Sequence, residues 1–456
     1  MDTTIIHTPF GKVIGRKEKG VRIFRGLVYA RYGRFAPPEA ADDPCPGREI
    51  NALDYGTLCP QVSSRLDMLI GKVPGLRMAE GELCLSIYAP EDDGGPHPVM
   101  VWIHGGSYLS GGSEDPRYGA ERLVRTGGVA VVKVSYRLGA EGWLHWPQAA
   151  NLGLKDLHCA LGWVHRNIRH FGGDPANVTL FAQSAGAHAV ASLIATSGDG
   201  SEYAAYAFPE RGAEWDAERG AEWDAERGAE WDAERRTGRL PRTPLFRRAV
   251  LQSAPLGVTF TPAEADKVLQ AFLEALGKSV PEASMADVLA AQEKVVKMRR
   301  SLTFMPVLPD NMLCPESCRG LRIFATCGAQ DASPYALGPF DRLFSRWPSV
   351  ERAVSAPVVR SLTRKIFMDG MKEYVSRLSA LGVEARSHII RWHPPGSVMG
   401  ACHCIELPFL LGDYEDWKDA RMLRGMTRGE YESISSELLR AWTAFARDGS
   451  WPQLSI

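Results

Sequence analysis

Val178-Thr179-Leu180-Phe181-Ala182-Gln183-Ser184-Ala185-Gly186-Ala187 reads as a strand, a sharp turn and the opening of a helix. Val178 to Phe181 is a compact strand candidate, and Ala187 to Thr196 continues as a small-residue helix. A strained turn of this kind lifts a serine hydroxyl above the sheet edge. Small residues two places before and after the serine let strand and helix pass closely, although Ala182 stands where glycine is usual. Ser184 is therefore the candidate nucleophile. The Ala185 N–H, at the helix start, is a candidate donor to a developing oxyanion.

Working upstream, Trp102-Ile103-His104-Gly105-Gly106-Ser107-Tyr108 follows a second apolar run, Val99 to Ile103. Consecutive glycines after a strand let the backbone turn its N–H groups inward, which makes Gly106 and Ser107 the natural further oxyanion donors. Val129 to Val134, Ala249 to Leu251 and Ile323 to Ala325 are further strand candidates. Between them, Leu154 to Phe171 carries Leu157, Leu161, Val164 and Ile168 at helical spacing. Strands alternating with helices predict an α/β fold with a mostly parallel sheet covered by helices on both faces. Residues 255–300 are also helical in pattern, through Leu269, Phe272, Leu273 and Leu276.

The chain of 456 residues holds 53 basic and 54 acidic side chains, a formal net charge of -1 that gives a polyanion such as nucleic acid nothing to bind. A neutral or amphipathic small molecule is the expected partner. The opening MDTTIIHTPFGKVIG has no basic segment followed by a long apolar stretch, and no window of about 18 apolar residues occurs. These features predict a soluble cytoplasmic protein with no membrane partner; they say nothing of oligomeric state. Nine irregularly spaced cysteines fit free thiols in a reducing compartment. Neither Cys314-x-x-x-Cys318 nor Cys402-His403-Cys404 has zinc-ligand spacing, so no metal and no cofactor is expected.

Residues 1–456 are expected to form one catalytic domain, interrupted at about 197–243 by an insertion. Arg211 to Glu234 within it is three copies of RGAEWDAE. A period of eight advances a helix about 80° past two turns, so Trp215, Trp223 and Trp231 would make no stripe. The unit is too short and too acidic for a solenoid, and a mobile loop is the expectation, with partner docking through the tryptophans as the alternative.

Together these motifs resemble the type-B carboxylesterases, the group that includes the cholinesterases. Phe24-Arg25-Gly26-Leu27-Val28-Tyr29-Ala30, Glu82-Leu83-Cys84-Leu85 and Ser135-Tyr136-Arg137-Leu138-Gly139 are similar to that family's elements in the family's order. Phe171-Gly172-Gly173-Asp174-Pro175 through Phe181, Leu251-Gln252-Ser253, and His403-x-x-Glu406-Leu407-Pro408-Phe409 complete the set. The resemblance implies an α/β-hydrolase fold and a serine-dependent hydrolase of a small hydrophobic or mixed ester, acting through an acyl-enzyme. It implies Ser184 as nucleophile, His403 as general base, and Gly106, Ser107 and Ala185 as oxyanion-hole donors.

The resemblance leaves the acid of the triad open. Without a gap the family's glutamate falls on Gln330, which carries no charge; a one-residue slip brings in Asp331, the expected acid here. Gln183 replaces the glutamate that commonly precedes the nucleophile. Cys59 and Cys84 match a disulfide pair of secreted relatives, and are expected reduced. The loop between them has no tryptophan to hold a quaternary ammonium, which argues against a choline ester. Two alternatives stand beside ester hydrolysis: thioester cleavage or acyl transfer in a biosynthetic pathway, and a catalytically inactive binding protein.

Overall fold

Strands buried on both faces must be apolar along their whole length, and the run Val99-Met100-Val101-Trp102-Ile103 obeys this. Val99, Val101 and Ile103 point into one hydrophobic core, and Met100 and Trp102 into a second on the opposite face. Ala130, Val132 and Val134 against Val131 repeat the pattern. The computed structural model describes residues 2–197, 203, 245–337 and 348–456, apart from 44, 46, 64–66, 71–76, 93–94, 147–148, 259, 300–301, 309–312, 314 and 396. The predicted insertion at 197–243 lies outside the described residues except for Ser197 and Tyr203.

The sheet has a main path of strands that we label β1 (Asp2–Thr8), β2 (Gly11–Glu18), β3 (Val21–Tyr32), β4 (Glu82–Pro90), β5 (His97–Ile103), β6 (Ala130–Val134), β7 (Gly173–Gln183), β8 (Arg248–Gln252), β9 (Arg322–Gly328) and β10 (Glu384–Ile390). Their order is β1-β2-β3-β4-β6-β5-β7-β8-β9-β10. From β6 onward every pairing is parallel, while β1 to β4 form antiparallel pairs at the N-terminal edge. The predicted strands all lie in the parallel part: four are shorter than the observed ones, and Val129 to Val134 begins one residue before the observed β6.

Four helices matter for the site: α1 (Glu121–Gly127), α2 (Leu152–Asn167), α3 (Ala185–Thr196) and α4 (Arg428–Asp448). Helix α2 ends in a 3-10 turn at Ile168–Phe171, so the predicted helical stretch is recovered in two pieces. Leu154, Leu157, Leu161 and Val164 of α2 share the first core with Val190, Leu193 and Ile194 of α3. Leu123 and Val124 of α1 and Leu438, Trp442 and Phe445 of α4 fill the second. A capping box, Thr427 with Glu430, starts α4, and Gly449 at φ 80° ends it. Residues 255–300 contribute the helices Pro262–Leu276 and Met285–Arg299. No described helix is long and apolar enough to cross a membrane.

Register then brings the candidate site together. Gln183, Gln252 and Thr326 lie side by side on β7, β8 and β9. The residues that follow these strand ends therefore emerge at one edge, the end of a parallel sheet where ligands generally bind.

Candidate active site

Ser184 takes φ 56° and ψ -124° between β7 and α3, a backbone conformation seldom adopted by a residue with a Cβ. The following helix must pass hard against β5, because a Cβ on Gly186 would stand 2.3 Å from the Ile103 carbonyl oxygen. Ala182, in place of the usual glycine, is paired within the sheet opposite Ile103, where a methyl is accommodated.

His403 reaches Ser184 from the loop after β10, its Nε2 2.7 Å from the serine Oγ. Its Nδ1 lies 2.5 Å from Asp331 Oδ1. The other carboxylate oxygen, Oδ2, accepts from Ser253 Oγ at 2.6 Å and from the Gly328 N–H at 2.7 Å. Three donors, His403 Nδ1, Ser253 Oγ and the Gly328 N–H, thus hold one carboxylate plane against one imidazole edge. Asp331 and His403 are wholly buried and Ser184 is 4% exposed. Gln330 faces elsewhere: its Oε1 accepts the Ala401 N–H at 2.8 Å. The amide that a gapless comparison put in the acid's place instead braces the loop leading to His403.

The glycine-rich loop after β5 has Gly106 at φ 113° and Ser107 at φ 57°. A Cβ on Gly106 would fall 1.9 Å from the Ser110 carbonyl oxygen, so only glycine fits. Among the described residues nothing accepts the N–H of Gly106 or Ser107. Ala185 is the first residue of α3, whose N–H the helix itself leaves free. The Ser135-Tyr136-Arg137-Leu138-Gly139 motif braces this loop: Tyr136 OH donates to the His104 carbonyl at 2.7 Å, and the Gly139 N–H to that of Tyr108 at 2.6 Å. Arg137 in turn forms a buried two-pronged pair with Asp156.

A strained buried serine, an imidazole at its hydroxyl, a carboxylate behind the imidazole and free N–H groups nearby make up an acyl-transfer constellation. The comparisons agree. A model of the Carboxylesterase family matches residues 2–204. A probable N-octanoylanthranilate hydrolase of Rhodococcus erythropolis is 31% identical over 473 residues, 98% of this chain and 94% of that protein. The para-nitrobenzyl esterase of Bacillus subtilis is 28% identical across 99% of this chain and 91% of its own length. A thermophilic PNB esterase structure superposes with a TM-score of 0.75 at 26% identity, covering 99% of this chain and 92% of that one. The chain belongs to the carboxylesterase family.

In this carboxylesterase the candidate site includes groups to which the sequence assigned no role. Ser253 sits at φ 50° after β8 and donates to Asp331; its motif was visible, but its contact with Asp331 is made only by sheet register. Tyr335 and Phe367 place their rings 5.4 Å and 5.2 Å from the His403 ring. Gln183 sets its Nε2 3.1 Å from His403 Nε2, an amide beside the imidazole where a glutamate would have set a charge. Cys402 and Cys404 flank His403 as buried free thiols, and among the described residues no His, Cys, Asp or Glu cluster could hold a metal ion. Cys314, the other half of the Cys318 spacing, lies outside the described residues.

Glu406 lies beneath this layer, 1% exposed. Its Oε1 accepts from Thr326 Oγ1 at 2.8 Å, and its Oε2 has no described partner. Burial, and then the nearby Asp331 charge, push its carboxyl up to about 7, with His403 acting in the opposite sense. An unfolded glutamate titrates near ~4.3, so between that pH and about 7 the folded carboxylesterase keeps a proton that the unfolded chain has released. Its raised value therefore costs stability as pH rises through this window, and the full penalty remains above it. Glu406→Gln keeps an acceptor for Thr326 and cannot ionise. Its melting temperature is expected to fall less than the wild type's between pH 5 and pH 8, by about a few degrees. Identical pH dependence of melting in the two proteins would contradict this account.

Proposed function

We propose that this carboxylesterase hydrolyses small hydrophobic or mixed carboxylic esters through an acyl-enzyme on Ser184, in the cytoplasm and without metal or cofactor. His403 accepts the Ser184 proton at Nε2 as Oγ attacks the ester carbonyl carbon. The carbonyl oxygen takes up negative charge, and the N–H groups of Gly106, Ser107 and Ala185 stabilise it. Collapse of the tetrahedral intermediate breaks the bond to the alcohol oxygen, which leaves with the proton from His403. Water then attacks the acyl-enzyme, gives its proton to His403, and releases the acid as Ser184 recovers its hydrogen. Asp331 keeps the imidazole oriented through Nδ1 and balances the positive charge that forms on the ring.

The observation that carries this reading is the continuous chain from Asp331 Oδ1 to His403 at 2.5 Å and from His403 to Ser184 Oγ at 2.7 Å, beside free backbone donors. The match to a probable N-octanoylanthranilate hydrolase over nearly both full lengths supports an acylated aromatic amine as a second substrate class. The same serine chemistry would serve it. A panel of p-nitrophenyl esters, N-octanoylanthranilate and an acyl thioester, each with and without an added alcohol, separates the readings. We expect free acid as the main product from the esters at every alcohol concentration. Predominant transfer to the alcohol would make the protein an acyltransferase, and turnover of the thioester alone would make it a thioesterase.

A further inference from the structure

His188 is one turn beyond Ser184 on α3, about 6 Å along the helix axis. Its N–H donates to the Ser184 carbonyl at 2.9 Å. Its Nδ1 lies 2.7 Å from the hydroxyl of Tyr108, the residue next to Ser107 in the oxyanion loop. The two rings meet edge to face with centroids 6.0 Å apart. Tyr108 is wholly buried and packs on Trp143 with ring centroids 4.4 Å apart. Neither residue belongs to the chain of contacts through Asp331, His403 and Ser184.

The direction of the Tyr108–His188 bond decides what His188 offers. If Nδ1 carried the hydrogen, the buried Tyr108 O–H would have no acceptor among the described residues, and a buried donor without a partner is costly. Tyr108 therefore donates, Nδ1 accepts, and the ring hydrogen sits on Nε2. Burial pushes the imidazole down to about 4, so at neutral pH it is uncharged and holds this one tautomer.

Nε2 has no described partner, yet it is not among the sealed-off polar atoms. Residues 185–187 and 189–194 of α3 are all buried, while His188 is partly exposed. His188 is thus the residue of the first turn of α3 that keeps some exposure, four positions from Ser184. A fixed neutral N–H donor therefore opens beside the nucleophile and is tied to the oxyanion loop.

We infer that His188 is a specificity-determining residue whose Nε2–H binds a second hydrogen-bond acceptor of the substrate, a ketone, ether or carboxylate oxygen outside the scissile ester. The inference rests on Ser184 being the nucleophile. A site built to bond an acceptor disfavours the analogue that lacks one, because its own donor is left unpaired.

Two matched pairs test it: p-nitrophenyl 4-oxopentanoate against p-nitrophenyl pentanoate, and 2-methoxyethyl butyrate against butyl butyrate. In at least one pair the wild type is expected to show a higher kcat/KM for the acceptor-bearing ester. His188→Ala should cut that selectivity ratio about tenfold, and Tyr108→Phe, which frees the tautomer, by less. His188→Gln, which restores an amide N–H, should recover part of it and supplies a second folded comparison. No selectivity in the wild type, or a ratio unchanged in His188→Ala, overturns the inference. So does an equal loss on both esters, which would mark a purely structural role. Titration with a fluorophosphonate counts competent Ser184 in each variant. Turnover without labelling at Ser184 would instead overturn the nucleophile assignment, so the two failures are distinct.

Discussion

Ser184→Ala is expected to lower kcat on p-nitrophenyl butyrate by on the order of 10⁵- to 10⁶-fold, with KM changed little. The loss is large because the hydroxyl is the group that forms the new bond. Its neighbours cannot replace it: His403 Nε2 is 2.7 Å from Oγ and serves only to move the proton. Residual catalysis from the N–H groups of the oxyanion loop and from binding sets the floor, and it is roughly 10³–10⁴ above water in comparable triads. The fold should survive the change, since a single buried oxygen is removed from a turn held by the Ser184 N–H to Gln252 carbonyl bond of 2.8 Å. Circular dichroism and melting curves check that, and stopped-assay kinetics check the rest. Retention of a tenth of wild-type turnover would move the nucleophile elsewhere.

Asp331→Asn should lower kcat by about 10⁴-fold, while Gln330→Ala should stay within about tenfold of wild type. The asymmetry follows from geometry. Asp331 gives one oxygen to His403 Nδ1 and the other to Ser253 Oγ and the Gly328 N–H. An asparagine must turn its NH₂ toward one of these two sides. Facing Nδ1, it favours the wrong imidazole tautomer; facing Ser253 and Gly328, it meets the Gly328 donor. Gln330 contacts the Ala401 N–H instead, so its loss loosens the loop before His403 without removing a charge. Kinetics at saturating ester separates the two variants. Full turnover in Asp331→Asn would mean that another carboxylate supports His403.

Much of this was legible in the sequence where a single segment carries the information. Val99 to Ile103 and Val129 to Val134 are buried on both faces, so their apolar runs announced themselves. The antiparallel strands β1 and β2 were not predicted, because their partly exposed faces carry polar residues such as Lys12, Arg16 and Lys17. Polar Asp174 to Asn177 likewise hid the first half of β7. Ser184 and His403 sit in motifs that name them as candidates, and the structure brings them within hydrogen-bonding distance.

The choice between Gln330 and Asp331 needed the turn after β9 and the path of residues 400–403, which no local pattern encodes. Ser253, Glu406, Tyr335 and His188 make their contacts only through register and packing between distant segments. Their types in sequence are those of any buried polar or aromatic residue. The RGAEWDAE repeat was the plainest pattern in the chain, and it lies outside the described residues.

The central claim is that the acyl group passes through Ser184. Rapid acid quench of the enzyme with p-nitrophenyl butyrate, followed by peptide mass spectrometry, tests it most directly. The peptide holding Phe181 to His188 should appear one butyryl group heavier, with fragmentation placing the group on Ser184, and the adduct should be absent from Ser184→Ala. A butyryl group on any other residue at the turnover rate, or full turnover with no acylated peptide at any quench time, would contradict the account.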